Sequence, residues 1–191
     1  MRIVGGEWRG LRLSALKSGD TKAHLRPTTD RNRETIFNIL LGGRFGDPID
    51  AADVLDLFAG TGALGLEALS RGAKRATFVD SGHVAQKLLR ENIRKTGSMD
   101  RCRVIARDTM RIPKAEAPSS LIFLDPPYGK SLGPKAIGSA LDAGGIADGA
   151  LIVAEDQEPL PAVAGMDQLE TRKIGSAHIT FLRASAPTLR H

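Results

Sequence analysis

The stretch Leu124-Asp125-Pro126-Pro127-Tyr128 places a carboxylate at the end of an apolar run, against two consecutive prolines and an aromatic ring. Pro126 and Pro127 remove two backbone donors and stiffen the chain. The Asp125 side chain and nearby carbonyls, such as that of Pro126, are left as fixed acceptors. Paired fixed acceptors suit an exocyclic amino group on an aromatic ring. The lone pair of such a nitrogen is delocalised into the ring, and hydrogen bonds from both N–H groups draw it towards tetrahedral geometry. It is then directed at an electrophilic methyl group. Tyr128 would stack on the target base, an interaction worth about 1–3 kcal/mol in nucleic-acid sites.

A second constellation is Asp56-Leu57-Phe58-Ala59-Gly60-Thr61-Gly62-Ala63-Leu64-Gly65. It ends a strand-like run and opens a helical one. Glycines there permit a tight turn, and helix N–H groups point at a nucleotide-like ligand. Asp80 follows at about the separation expected for a ribose-binding carboxylate. These residues alone leave the cofactor open. Gly60, Gly62, Gly65 and Asp80 also suit a nicotinamide dinucleotide, which makes an oxidoreductase a rival reading. Asp108, at the end of a further strand, would either accept from an adenine amino group or cap a surface helix.

These loops need a frame. From residue 53 the chain alternates short apolar runs with helical segments. Strands are predicted at 54–58, 76–79, 103–106, 121–124 and 151–154, and helices at 63–70, 84–96 and 134–141. Such alternation predicts a parallel sheet with helices on both faces. The carboxyl ends of the strands then face the ligand crevice, which brings Asp125 beside the glycine loop. Runs at 169–174 and 178–182, joined by Gly175-Ser176-Ala177, read as a terminal antiparallel hairpin and bring the strand count to seven. Ahead of the sheet, residues 1–25 read as a basic arm or hairpin. A helix capped by Thr29 or Asp30 runs to about Leu41, with Ile36, Phe37 and Leu40 on its apolar face.

The 191 residues carry 27 lysines and arginines against 22 acids, a net charge of +5. All of the excess lies in residues 1–33, where eight basic residues face three acids. Localised positive charge with Trp8 beside Arg9, and with Gly5, Gly6 and Gly10 easing backbone approach, suits nucleic acid. Arg2, Trp8, Arg9, Arg12, Arg31 and Arg33 are the candidate nucleic-acid contacts. A single cysteine, Cys102, excludes an internal disulfide, and four scattered histidines offer no metal spacing. No apolar run approaches the roughly 18 residues of a membrane span. A cytoplasmic, monomeric protein without a metal is expected.

The glycine loop together with Asp-Pro-Pro-Tyr resembles the class I S-adenosylmethionine-dependent methyltransferases that modify exocyclic amines. Residues 2–13, 26–38 and 64–72 are similar to the RsmD-like enzymes, which methylate guanine N2 in small-subunit (16S) ribosomal RNA. The resemblance implies a Rossmann-like fold over 26–191 behind the N-terminal arm or hairpin of 1–25. It also implies S-adenosyl-L-methionine as methyl donor, S-adenosyl-L-homocysteine as product, and an assembled or partly assembled ribosomal particle as partner. Asp56, Phe58, Gly60 and Gly62 would surround the methionine part of the cofactor, and Asp80 the ribose. Asp108, Thr109 and Met110 would border the adenine. Arg26 and Thr28 would lie at the methyl-donor end, and Asp125 to Tyr128 would hold the amine. Two departures stand out: Ser81-Gly82 replaces a second acid after the ribose carboxylate, and Gly175-Ser-Ala replaces a Tyr-Gly-Asp-type turn. Adenine N6 of DNA or RNA is the rival target. A non-catalytic RNA-binding or ribosome-assembly module is the rival role.

Overall fold

The computed structural model describes residues 1–15, 30–127 and 132–185. Its seven-stranded sheet has the order β3-β2-β1-β4-β5-β7-β6. The strands are β1 (Asp53–Leu57), β2 (Arg75–Val79), β3 (Cys102–Ile105), β4 (Ser119–Leu124), β5 (Ile146–Asp156), β6 (Met166–Ile174) and β7 (Ala177–Ala184). The first five are mutually parallel, and β7 runs antiparallel to both β5 and β6. Four described helices pack on it: α1 (Asp30–Leu41), α2 (Ala63–Ser70), α3 (His83–Thr96) and α4 (Leu132–Asp142). This is the mostly parallel α/β sheet with a terminal hairpin that the apolar runs predict. β5 exceeds its predicted run because a register shift against β4, between Ser119 and Leu121, lets residues 146–150 join the strand.

Alternation along the strands divides the core into two layers. Val54, Phe78, Phe123 and Phe181 belong to the layer that contains Phe37, Leu66 and Leu89 from α1, α2 and α3. Leu55, Leu57, Ile122 and Leu124 belong to the other, with Ala136, Ile137 and Ala140 of α4. Asp56, between Leu55 and Leu57, therefore turns its carboxylate towards α2.

Residues 1–15 fold back on themselves and dock on α2. Arg2 and Arg12 pair as an antiparallel bridge, the Ile3 amide donates to the Leu11 carbonyl at 3.0 Å, and Ile3 and Leu13 are buried in the core. Gly6 has φ 75°, and a Cβ there would lie 1.8 Å from the Ser70 carbonyl oxygen. Its close approach is thus to the end of α2, where the sequence suggested approach to a ligand. The Glu7 amide donates to the Ser70 carbonyl at 2.7 Å and the Trp8 amide to Ser70 Oγ at 2.9 Å.

Glu67 anchors this arrangement. Its side chain is fully buried on α2, and its two oxygens accept the Val4 and Gly5 amides, each at 2.8 Å. Arg71 Nε donates to the same carboxylate at 2.7 Å, and Arg33 Nε lies 3.5 Å from it. Arg33 corrects the sequence reading. It has no exposed side-chain surface for RNA, because its guanidinium is enclosed between Glu67, Asp30 and the Arg2 carbonyl. A guanidinium of this kind completes a buried charge network, and its loss or that of its partner strands the remaining ions. Glu67→Ala is therefore expected to cost about 3–5 kcal/mol in urea unfolding. A loss below about 1 kcal/mol would contradict the anchoring role.

Candidate active site

β1 pairs with β2 on one side and β4 on the other, so the chain connections diverge at this strand and open a crevice at the carboxyl edge. Three carboxylates converge there. Asp56 is in β1, Asp80 directly follows β2, and Asp125 directly follows β4. Leu57 pairs with Leu124, and the Asp125 amide lies 3.5 Å from the Leu57 carbonyl. Pro126 is buried beneath the turn and Pro127 is exposed on it. Tyr128, Arg26 and Thr28 lie outside the described residues.

The glycine loop is held from both sides. Phe58, Gly60 and Gly62 all have left-handed φ, at 58°, 56° and 79°. For a phenylalanine that conformation costs on the order of 1–3 kcal/mol, so the loop stores strain beside the crevice. The Ala59 amide donates to the Val79 carbonyl at 3.1 Å, and the Gly60 amide donates to Asp80 Oδ2 at 2.8 Å. Asp80 Oδ1 accepts the Gly82 amide at 2.7 Å just ahead of α3. Each Asp80 oxygen retains a second lone pair, which is the acceptor capacity that a ribose diol requires.

Asp56 Oδ2 accepts the Gly65 amide at 2.9 Å. A Cβ on Gly65 would lie 2.4 Å from Phe78 Cε1 and 3.1 Å from Asp56 Oδ2, so glycine is what lets α2 approach β1 and β2 this closely. Burial pushes the Asp56 carboxyl well above the usual carboxylate range. The Gly65 amide opposes that shift, and the neighbouring Asp125 and Asp80 carboxylates reinforce it. Such a cluster favours a positively charged ligand, which would relieve the repulsion among its members. A sulfonium and an ammonium group on one cofactor fit this donor set.

Asp108 behaves as a cap: its Oδ1 accepts the Met110 amide at 2.9 Å and closes a short 3-10 turn, Thr109–Arg111. Its carboxylate remains exposed after β3, while Thr109 is buried and Met110 half-buried. Among the basic candidates, Arg2, Arg9, Arg12 and Arg31 are exposed. Trp8 is partly buried, with the Arg101 guanidinium 5.2 Å from its ring centroid. Cys102 is half-buried, and burial pushes its thiol up, with the Ser98 hydroxyl opposing. A cavity of about 170 Å³ lined by Asp53, Arg75, Arg103 and Glu116 lies at the amino ends of the strands, where Arg75 pairs with Asp53 and Arg103 with Glu116. It lies away from the three carboxylates. Among the described residues, no group of three or more His, Cys, Asp or Glu side chains is placed to hold a metal ion.

Three polar residues are buried in a way that their sequence context did not assign. Glu67 anchors the hairpin, Asn92 is fully buried, and Glu155 is buried one residue beyond Ala154, the partner of Leu124 at the end of β4. Asn92 was detectable in principle. It interrupts the apolar stripe Ala85, Leu89, Ile93 of α3, and a buried amide there needs partners.

The chain matches the family model Cons_hypoth95, described as conserved hypothetical protein 95, over residues 1–183. The chain belongs to this family. Its relatives include ribosomal RNA small subunit methyltransferase D of Escherichia coli K12, 38% identical over 177 residues that cover 91% of this chain and 84% of that protein. The Haemophilus influenzae protein of the same name is 35% identical over 167 residues, covering 85% and 82%. The solved structure of Escherichia coli yhhF superposes with a TM-score of 0.81 at 36% identity, covering 97% and 98% of the two chains. A Salinibacter ruber RNA methyltransferase in complex with S-adenosyl-L-homocysteine shares the fold at a TM-score of 0.67 and 15% identity, over 87% and 98%. The resemblance carried by the N-terminal blocks and the Rossmann-like class I methyltransferase fold are thus both met in this family.

The raised Asp56 carboxyl makes a signed prediction. Between the ordinary carboxylate range and its raised native value, the native state binds more protons than the unfolded state, so Asp56 lowers stability as pH rises through that window. Asp56→Asn keeps an acceptor for the Gly65 amide and removes the titration. Urea unfolding of the cofactor-free protein from pH 5 to pH 8 should therefore fall more steeply for the wild type than for the variant. Parallel pH profiles would contradict the assignment.

Proposed function

We propose that this protein transfers a methyl group from S-adenosyl-L-methionine to the exocyclic N2 amine of a guanine in small-subunit ribosomal RNA. The observation that carries the reading is the placement of Asp125-Pro126-Pro127 after β4, directly across the switch point from the glycine loop of β1. Family membership supports the same reaction class, since the Escherichia coli and Haemophilus influenzae relatives are named ribosomal RNA small subunit methyltransferase D. When bound, the cofactor supplies an electrophilic methyl group on a sulfonium and leaves as S-adenosyl-L-homocysteine.

This chain's residues have the other tasks. Asp80 and Gly60, already joined, would offer the ribose its acceptor and a fixed loop wall. Asp125 would place negative charge beside the cofactor's cationic groups, and a bound cation would favour ionisation of the buried Asp56 carboxyl, which burial otherwise holds well above the usual carboxylate range. Asp125 and the Pro126 carbonyl would accept both hydrogens of the target amine and orient its lone pair along the line of displacement, and the Asp125 carboxylate would receive the proton lost after transfer. Rate enhancement would rest mainly on holding nucleophile and methyl carbon in line. The exposed cations Arg2, Arg9, Arg12 and Arg31 would contact phosphates. The substrate in this reading is a ribosomal particle, because so small a surface leaves much of the target's recognition to the particle's own shape. A single chain supplies every residue named, consistent with a monomer.

Asp125→Ala should lower turnover on small ribosomal subunits that lack the modification by at least about 10²-fold, the scale of a positioned acid–base group. Near-normal turnover of the folded variant would remove Asp125 from the reaction. Neutralising Arg9, Arg12 and Arg31 together should flatten the salt dependence of RNA binding by about 0.7–0.9 in log–log slope for each phosphate no longer neutralised. An unchanged slope would mean that these cations are merely solvated.

A further inference from the structure

Asn92 is fully buried in the C-terminal half of α3, and its amide uses both of its donors and accepts a hydrogen bond at Oδ1. Oδ1 accepts the Ser14 amide at 2.7 Å, while Nδ2 donates to the Ser14 carbonyl at 3.0 Å and to the Thr61 carbonyl at 2.9 Å. Ser14 is the point at which the N-terminal hairpin ends, and in sequence it precedes the stretch carrying Arg26 and Thr28. Thr61 lies inside the glycine loop, between Gly60 and Gly62. One amide therefore bridges the two segments assigned to the two different ligands. Three further contacts tighten the same joint. Ser14 Oγ is held by the Glu91 carboxylate and by Lys95 Nζ, and Thr61 Oγ1 lies 3.7 Å from Met1 Sδ at the other end of the hairpin.

We infer that Asn92 is a positioning residue, which locks the cofactor loop and the RNA-facing hairpin into one unit so that each ligand is met by a prealigned partner. The inference rests on the methyltransferase reading above. A helix residue buried only to fill the core would need no simultaneous bond to two chain segments 47 residues apart, Ser14 and Thr61. An asparagine at this place satisfies a backbone donor and two backbone acceptors at once, which neither aspartate nor leucine can do. Because binding effects through a shared element are reciprocal, loss of the joint should weaken the response of each ligand to the other.

The test is Asn92→Asp in the full chain, which keeps the acceptor for the Ser14 amide and removes both donations. Asn92→Ser, which leaves room for a bridging water, serves if the aspartate variant does not fold. Affinity for S-adenosyl-L-homocysteine is measured by calorimetry, KM and kcat on small ribosomal subunits by steady-state assay, and folding by thermal denaturation. The expected result is cofactor binding weakened by about tenfold or more, with the loss in KM for the cofactor and not in turnover at saturation. In the wild type, subunits should also tighten product binding, and that tightening should vanish in the variant. A folded variant whose cofactor affinity stays within about twofold of the wild type overturns the inference, even if its melting temperature is lower. Failure of the wild type itself to bind the cofactor would instead overturn the reading of function.

Discussion

The hydrogen bond from the Gly65 amide to Asp56 draws α2 onto the sheet at the one point where β1 turns into the glycine loop, and the rest of the carboxyl edge is built around that approach. It requires a residue without a side chain at 65, since Phe78 and the Asp56 carboxylate occupy the space a Cβ would need. It also buries a carboxyl group beside two others, which is unfavourable for a fold considered alone. Such an arrangement makes sense as a place for a cation. The strain held at Phe58 belongs to the same few residues.

α2 is buried along its whole length and serves two surfaces at once. Its first turn closes on Asp56. Its middle and end hold the N-terminal hairpin, through Glu67 and Ser70, with Arg71 just beyond the helix bracing the Glu67 carboxylate. α3 adds the second fastening, through Asn92. The hairpin is thus stitched to the elements that shape the glycine loop, and its exposed arginines are presented from a rigid base. Arg2, Arg9, Arg12 and Arg31 are exposed, whereas Arg33 is enclosed in the Glu67 network.

Most of the frame was legible in the sequence because apolar runs report strands and helices directly. The helix predicted at 63–70 matches α2 to the residue, and the logic of a switch point is enough to put Asp125 beside the glycine loop. The glycine loop and Asp80 were legible for a similar reason: close backbone approach leaves glycines behind. What remained hidden were polar groups whose partners are far away in the chain. Glu67 looks like a helix-surface acid until Val4 and Gly5 are brought to it. Arg33 looks like part of a basic arm until Asp30, Glu67 and the Arg2 carbonyl enclose it. Asp108 has two chemically reasonable roles, and its geometry satisfies the capping one. The length of β5 was hidden too, because pairing through a bulge needs no continuous apolar run.

The most direct measurement is methyl transfer from labelled S-adenosyl-L-methionine to small ribosomal subunits lacking the modification, followed by nucleoside analysis. Free ribosomal RNA and DNA are assayed alongside. The account predicts label in N2-methylguanosine, with the particle preferred over free RNA. Label in N6-methyladenosine would keep the amine chemistry of the Asp125 turn and contradict the target. Absence of label from every substrate, by a protein that still binds the cofactor, would contradict the central claim that this edge of the sheet carries out methyl transfer to small-subunit ribosomal RNA.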